Sequence, residues 1–223
     1  MDALLDKNPN LTLTDQIFEK IQNAIICGDL PAGSKISEPE LARIYGISRG
    51  PLREAIHRLE GQKLVERTAH VGARVVALST QQLTELYQIR ENLEGLACRL
   101  AAENIDKEQI LALRAVLRLH SEDPNFKQGK GYYLQHGDDD FHYCIIRSCG
   151  NKILEKMLCY ELYHLIRMYR IQFSNTPNRP HKALTEHLQI VDAIAEGDGE
   201  LAELLMRRHI AASYINIKNN IVL

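Results

Sequence analysis

Four side chains in the second half of the chain are of the kinds that bind metal ions: Asp138, His142, His187 and His209. Asp138 and His142 are four residues apart, so on a helix they would share one face. Three imidazoles and one carboxylate leave coordination positions open on a divalent ion, and this donor set suits Zn²⁺, Ni²⁺, Fe²⁺ or Mn²⁺. The chain has nine histidines, so such a pair also arises by chance. Ordinary surface or core histidines are therefore the alternative interpretation.

Such a site has more than one use. An ion with an open position can activate water, so a metal-dependent enzyme acting on a small carboxylate is one hypothesis. A structural ion that ties helices together is another. No further acid or base in the sequence is placed in a way that suggests chemistry.

A second set of chemical groups lies near the N-terminus. Arg49 and Arg53 are at i and i+4, which places both on one face of a helix. The whole chain has a formal net charge of −2, yet seven basic and three acidic side chains lie between Ala42 and Ala77. This local excess predicts a phosphate-binding face, and a solvated charged face is the alternative.

The elements that position these arginines have the pattern of a winged helix-turn-helix. A short helix capped by Ser37, with Glu40 completing a capping box, and a helix capped by Ser48 flank the turn at Gly46. Two short strands follow, joined by a tip at His70 to Gly72. The predicted elements are helices at 14–27, 37–45 and from 48 onward, and strands at 64–67 and 73–76.

After Ser79 the pattern is helical throughout and shows no strand. Ser79 and Gln82 form a capping-box signal for the next helix. Helices are predicted at 81–102, 108–121, 130–149, 152–173, 181–196 and 200–218. We therefore predict a mainly α protein with a winged helix-turn-helix domain at 1–78 and an all-α antiparallel helical bundle at 79–223.

Composition agrees with a globular protein, because 45% of the residues are hydrophobic and 25% are charged. No secretory signal and no run long enough for a membrane helix is found, so we expect a cytoplasmic protein without membrane contact. The five cysteines include no CxxC pair and are interpreted as mostly buried thiols. A redox role for Cys144 and Cys149 stays open.

The first part of the chain resembles the DNA-binding domain of the GntR family. The resemblance rests on PAGS, SE-x-x-LA, SR-x-P-x-REA and the G-x-x-V end of the wing, and departs at Pro39 and at Gln62-Lys63-Leu64. It implies binding to double-stranded DNA rather than the protein-interaction role that some winged helices have. The residues expected at the DNA are Arg43, Ser48, Arg49, Arg53, His70 and Gly72.

The second part resembles the FCD effector domain of FadR-type GntR regulators, with a helix count similar to the six-helix VanR-like branch. The matching segments are Arg90-Glu-Asn-Leu-Glu94, Asp138-Asp-Asp-Phe-His142 with Gly150-Asn151, Glu186-His187 with Gly197-Asp198, and Arg208-His209-Ile210. The resemblance implies that Asp138, His142, His187 and His209 bind a divalent metal, with zinc the first expectation. It also favours Arg90 as an anion anchor over a simple partner for Glu94.

The two resemblances together imply a transcription regulator, expected to be a repressor, that responds to a small organic acid. The acid would place its carboxylate on the metal, assisted by Arg90. One recognition helix reads too few base pairs to select a site, so a homodimer on an inverted-repeat operator is expected, joined through the C-terminal helices. A hydrolase that activates water at the metal has no evident need for a DNA-binding domain, which argues against the enzyme hypothesis.

Overall fold

The computed structural model describes residues 11–127, 140–173, 176 and 178–220. The chain divides into two compact units. The first consists of Met1–Ala77 with His164–Met168, and the second of Leu78–Tyr163 with Tyr169–Leu223. No helix among the described residues is both long enough and apolar enough to cross a membrane.

The first unit is a three-helix domain with a small antiparallel sheet, the arrangement of a winged helix-turn-helix. The strand order in the sheet is β1-β3-β2. Its elements are α1 (Leu13–Cys27), β1 (Lys35–Ile36), α2 (Glu38–Tyr45), α3 (Arg49–Gly61), β2 (Val65–Thr68) and β3 (Gly72–Val75). The sequence pattern gave the three helices and the two wing strands, and it missed the two-residue strand β1, which is too short to show an alternation of buried and exposed positions.

The N-termini of the helices in this unit agree only in part with the capping predicted from the sequence. Ser37 and Ser48 occupy the N-cap positions of α2 and α3, yet neither side chain makes a capping hydrogen bond. The predicted capping box between Ser37 and Glu40 is therefore wrong. Ser37 has ψ of 98°, and Pro39 in the first turn lacks an N–H group to donate. The turn into α3 is made by Gly46, whose φ of 64° is the left-handed conformation that glycine adopts readily.

The core of the first unit forms between α1 and α3. Ile17, Ile21 and Ile25 of α1 and Leu52 and Ile56 of α3 are fully buried. Because this stripe of α3 is turned inward, its opposite face carries the charged residues and is left exposed.

The second unit is all helical in its described part. Its elements are α4 (Thr80–Asn104), α5 (Lys107–Glu122), α6 (Pro124–Lys127), α7 (Phe141–Ser148), α8 (Lys152–Glu155), π1 (Lys156–Glu161), α9 (Tyr163–Phe173), α10 (Arg179–Ala195) and α11 (Gly199–Asn220). The capping box predicted at Ser79 and Gln82 is present at the start of α4. Asn151 caps α8, because its side-chain oxygen accepts hydrogen bonds from the backbone N–H groups of Ile153 and Leu154.

Two predicted helices differ from the structure. The stretch expected at 152–173 is not one α-helix, because the π-helix π1 separates α8 from α9. At its end the Leu162 N–H donates to the Met157 carbonyl at 3.0 Å, a five-residue step that widens the turn. The stretch expected at 130–149 has its described helix only from Phe141. Asp140 caps that helix by accepting a hydrogen bond from the His142 N–H at 3.0 Å.

The long helices α4 and α11 pack closely against each other. A Cβ atom at Gly95 would lie only 2.8 Å from Cγ of Arg207, so the absence of a side chain permits this approach. Ion pairs between Arg99 and Glu203 and between Glu91 and Arg207 flank the contact. This packing fixes the inward face of α4, which carries Arg90 and Glu94.

The buried stripe of α1 predicts a clear difference between two substitutions on that helix. Ile21→Ala should lower the free energy of unfolding of the first unit by about 2–5 kcal/mol, because it leaves a cavity in the core. Leu13→Ala, at a position 40% exposed, should cost less than about 1 kcal/mol. Urea denaturation monitored by amide exchange in α1 and α3 measures both values. Equal costs would show that the α1–α3 interface is not the core of this unit.

Candidate functional site

Three histidines from separate helices meet inside the second unit. His142 of α7, His187 of α10 and His209 of α11 are all buried, and each offers one ligand atom within 4.8 Å of the other two. Nε2 of His187 lies 3.2 Å from Nε2 of His209. The sequence left open whether these residues come together, and the fold brings all three into one cluster. Asp138, the expected fourth ligand, lies outside the described residues.

Carboxylates orient two of the three imidazole rings. Nδ1 of His142 is 2.6 Å from Oε2 of Glu94, and Nδ1 of His209 is 2.6 Å from Oε2 of Glu186. An ionised carboxylate only accepts hydrogen bonds, so in both rings Nδ1 carries the proton. Nε2 is then the unprotonated nitrogen of both rings, an arrangement common among metal-binding histidines.

The electrostatics keep these imidazoles neutral, which is the form that binds metal. Burial lowers the pKa of His142 below its usual value and that of His187 well below it. Burial likewise lowers the pKa of His209 to about 3, although Glu186 acts in the opposite direction. For Glu94, burial favours the protonated form, but Arg90 and His142 together outweigh it and hold the pKa well below the usual range.

Three arginines surround the cluster, and each is paired with a carboxylate. Arg90 forms an ion pair with Glu94 one helical turn away on α4. Arg179 donates to Glu186 at 2.8 Å. The third arginine, Arg170 of α9, donates to Asp140 at 3.0 Å. With neutral histidines these pairs cancel, so the described wall of the site has no net charge.

Other contacts hold α7 in place. Asp140 caps α7 and also accepts hydrogen bonds from Arg170 and, at 3.3 Å, from the Tyr163 hydroxyl. The ring of Phe141 stacks on His187 with centroids 4.0 Å apart. The contacts of Asp140 and Phe141, the two residues that precede His142, therefore help to position His142.

The cluster encloses a cavity of about 20 Å³, which is roughly the space of one water molecule. The residues that line it are Arg90, His142, Arg170, Arg179, Ala183, His187, His209 and Ser213. Nη1 of Arg90 is buried here and has no hydrogen-bond partner among the described residues. Arg90 is thus both the partner of Glu94 and a cavity-lining cation, so the two interpretations of this residue are compatible.

The described residues fit a divalent metal. Imidazole nitrogens that bind one tetrahedral ion about 2.0–2.1 Å away stand about 3.3 Å apart, close to the 3.2 Å between His187 and His209. Two of the three donor rings are oriented by carboxylates, and the cavity has the size of an ion. An all-nitrogen set from three histidines leaves further coordination positions open.

A second site lies on the outer face of the helix-turn-helix. Arg49 and Arg53 are exposed on α3, on the side opposite its buried stripe. Arg43 is exposed in the last turn of α2, and Ser48 is exposed just before α3. All four lie on the two helices of the motif or at the turn between them.

The predicted wing residues lie at the tip between β2 and β3. His70 has φ of 64° and Gly72 has φ of 97°, so both positions are left-handed. His70 is exposed and Gly72 is partly exposed. The tip is therefore a tight turn, and the side chains of His70 and Val71 reach solvent.

Several polar residues of these sites were not found from the sequence. Glu94 was expected only as a helix partner of Arg90, and Glu186, Asp140, Arg170 and Arg179 were given no role. The spacing of Arg90 and Glu94 and the position of Glu186 next to His187 were the available signals. The pairing of Arg170 with Asp140 spans 30 residues and leaves no local pattern.

Comparison with known proteins gives a consistent family. Residues 13–75 match the bacterial regulatory proteins of the gntR family, and residues 85–212 match the FCD domain. These families are regulatory, and neither describes an enzyme.

Related proteins cover nearly the whole chain. The "Probable D-xylose utilization operon transcriptional repressor" of Paenarthrobacter nicotinovorans is 32% identical over 95% of this chain and 92% of its own. The "HTH-type transcriptional repressor GlaR" of Escherichia coli (strain K12) is 28% identical over 86% of this chain and 90% of its own.

A solved structure shares the fold. The crystal structure of a transcriptional regulator GntR from Rhodococcus sp. RHA1 has a TM-score of 0.74 and 21% identity, covering 94% of this chain and 99% of that one. The exposed recognition-helix arginines and the two domain matches thus agree. The chain belongs to the GntR family of bacterial regulatory proteins, carries an FCD domain, and is a DNA-binding transcriptional regulator.

Proposed function

We propose that the protein is a cytoplasmic repressor of the FadR subfamily whose operator binding is controlled by a small organic acid. The acid binds at a divalent metal held by His142, His187 and His209, with Asp138 as the fourth ligand. The observation that carries this proposal is the cluster of three buried imidazoles beside Nη1 of Arg90, which has no hydrogen-bond partner among the described residues. The repressor role is supported by two relatives that are named as repressors.

The metal supplies a strong local positive charge that attracts a carboxylate into an otherwise apolar bundle. Zinc is the first expectation from the nitrogen-rich donor set, and nickel, iron or manganese are the alternatives. The described wall has no net charge, so a bound divalent ion makes the cavity cationic. Burying a carboxylate without such a partner would cost several kcal/mol, as an order of magnitude.

Arg90 assists in binding the acid. Its Nε donates to Glu94, while Nη1 has no hydrogen-bond partner among the described residues. A guanidinium in this situation can donate a charge-assisted hydrogen bond to a ligand oxygen without giving up its carboxylate partner. The acid therefore meets two cationic groups, the metal and Arg90.

The size of the cavity links binding to regulation. A space of about 20 Å³ holds an ion or a water but not an organic acid with several heavy atoms. Binding of the acid therefore requires more room than this cavity offers in the present arrangement. A ligand that favours one arrangement shifts the equilibrium by its difference in affinity, about 1.4 kcal/mol for each tenfold change in DNA binding.

DNA recognition is assigned to residues 1–78 and effector binding and dimerisation to residues 79–223. Arg49 and Arg53 enter the major groove and read base edges, while Arg43 and Ser48 and the wing residues His70 and Gly72 position the domain. The functional unit is a homodimer on an inverted-repeat operator in double-stranded DNA.

Exposed apolar residues on α4 and α11 support a dimer interface in the C-terminal domain. Ile89 of α4 is 50% exposed, and Leu204 and Ile215 of α11 are 45% and 59% exposed. Leu204 and Ile215 are separated by three helical turns and therefore share a face of α11. A second copy of the chain would cover this apolar surface.

Effector control predicts a response that depends on the metal. In a panel of small carboxylic acids, at least one should weaken operator binding of the metal-loaded protein about tenfold or more, and none should affect the metal-stripped protein. His187→Ala and His209→Ala should keep DNA binding and lose the response. His181→Ala is the matched control, since His181 is an exposed histidine on the same helix as His187 and should respond as the wild type does.

The readout is fluorescence anisotropy of a duplex enriched from random-sequence DNA by the wild-type protein. Identical acid responses with and without metal would contradict the proposal. A drop in thermal stability of His187→Ala and His209→Ala without any acid response in the wild type would instead assign the metal a purely structural role.

Base reading predicts specific losses at the recognition helix. Arg49→Ala and Arg53→Ala should each weaken operator binding by about 1–3 kcal/mol, roughly 5- to 150-fold, because a guanidinium contact to a base or phosphate is removed. Arg114→Ala is the control, since Arg114 is an exposed arginine of α5 paired with Asp192. Wild-type affinity in both helix α3 variants, with the fold intact by circular dichroism, would refute the assignment.

A further inference from the structure

The recognition helix is joined to α2 and to the wing by a set of ion pairs centred on Glu38. One carboxylate oxygen, Oε2, accepts from Nε of Arg53 at 3.0 Å. The other, Oε1, accepts from Nη1 of Arg67 on β2 at 3.3 Å. Both oxygens of a single carboxylate are thus occupied by arginines from two other elements.

We infer that Glu38 is a positioning residue for Arg53 and that it raises the ability of the protein to distinguish its operator from other DNA. The inference rests on the proposed role of Arg53 at a base edge. Glu38 itself is not required to touch DNA.

The geometry of the guanidinium is the first support. An arginine has one N–H at Nε and two at each Nη, arranged in a rigid plane. Glu38 occupies the Nε position, so the Nη1 and Nη2 edge of Arg53 is directed away from the carboxylate. This is an edge that can bind O6 and N7 of a guanine in a bidentate manner.

Exposure is the second support. The side chain of Arg53 is 66% exposed, whereas that of Glu38 is 17% exposed. A mostly exposed arginine samples many rotamers, and a carboxylate fixed beneath it restricts them before DNA arrives. Less side-chain entropy is then lost on binding, so a base contact made by Arg53 is stronger.

Charge is the third support. The carboxylate of Glu38 partly neutralises two arginines that could otherwise bind phosphates at any sequence. It also repels DNA phosphates that come close. This repulsion weakens binding to non-specific DNA more than it weakens binding to the operator, where Arg53 reaches its base. Positioning and repulsion therefore act in the same direction on discrimination.

Glu60 provides a matched control within the same network. Its Oε1 accepts from Nε of Arg67 at 2.8 Å, and its Oε2 lies 3.3 Å from Nδ1 of His57. Glu60 makes no ion pair with Arg53 among the described residues. Removal of Glu60 thus takes away one of the two carboxylate partners of Arg67 and one negative charge, but leaves the contact between Glu38 and Arg53 intact.

The experiment compares wild type, Glu38→Ala, Glu38→Gln and Glu60→Ala in the full-length chain. Affinity is measured for the duplex enriched from random DNA and for a scrambled duplex, over a range of salt concentrations. We expect Glu38→Ala to lower the ratio of the two affinities about tenfold, with unchanged or tighter binding to the scrambled duplex. The salt slope on scrambled DNA should steepen by about one unit, as a freed arginine contacts a phosphate.

Glu38→Gln retains an oxygen that can accept from Nε of Arg53, so it should keep more discrimination than Glu38→Ala. Glu60→Ala should keep the wild-type ratio. In an Arg53→Ala background, Glu38→Ala should cause no further loss of discrimination, because the group that it positions is absent.

The outcomes separate this inference from the proposed role of Arg53. If Arg53→Ala keeps wild-type discrimination, the role of Arg53 fails and the inference falls with it. If Arg53→Ala loses discrimination but both Glu38 variants keep it, only the positioning role is overturned. Equal weakening on both duplexes in Glu38→Ala and Glu38→Gln, with the same effect in the Arg53→Ala background, would show that Glu38 only stabilises the fold.

Discussion

The hydrogen bonds from buried imidazoles to the carboxylates of Glu94, which is buried, and Glu186, which is partly buried, are the interactions on which the second domain depends. An ionised carboxylate in an apolar interior is costly unless it is paired, and each of these has a histidine and an arginine as partners. Glu94 links Arg90 to His142, and Glu186 links Arg179 to His209. His142 and His209 thereby acquire a defined tautomer, and these contacts link α4 to α7 and α10 to α11.

This network also bears on the proposed binding of a metal. The interior contains several charges that cancel, so the addition of a metal creates a net positive site without rebuilding the bundle. Removal of one member would leave a buried charge without its partner, which is strongly destabilising. A change of helix packing that separates these pairs therefore has to supply a new partner for each charged group.

The first domain uses the same kind of pairing at its surface. There the arginines remain exposed, and the carboxylates of Glu38 and Glu60 organise them without burying them. Exposed ion pairs of this kind contribute little to the free energy of folding, often less than about 1 kcal/mol. Their effect is expected in recognition, where the orientation of a guanidinium decides which contacts it can make.

Much of this arrangement could be predicted from the sequence, and the rest could not for identifiable reasons. The helical periodicity gave most helices, and the i, i+4 spacing of Arg49 and Arg53 placed both on the outer face of α3. The types of His142, His187 and His209 indicated metal chemistry, but only the packing of three helices shows that the rings converge. Local patterns could not reveal the interruption of the helix expected at 152–173 by π1, since residue preferences for the two helix types overlap. The partners Arg170 and Asp140 come from distant segments and carry no mutual spacing.

The central claim is that His142, His187 and His209 hold a divalent metal through their Nε2 atoms and leave a position open for an acid. X-ray absorption spectroscopy of the purified full-length protein at the metal edge tests this claim directly. The account predicts three imidazole nitrogens at about 2.0–2.1 Å for zinc, together with oxygen ligation that changes when a responsive carboxylic acid is added. A spectrum with sulfur ligation, or one without imidazole scattering, would contradict it.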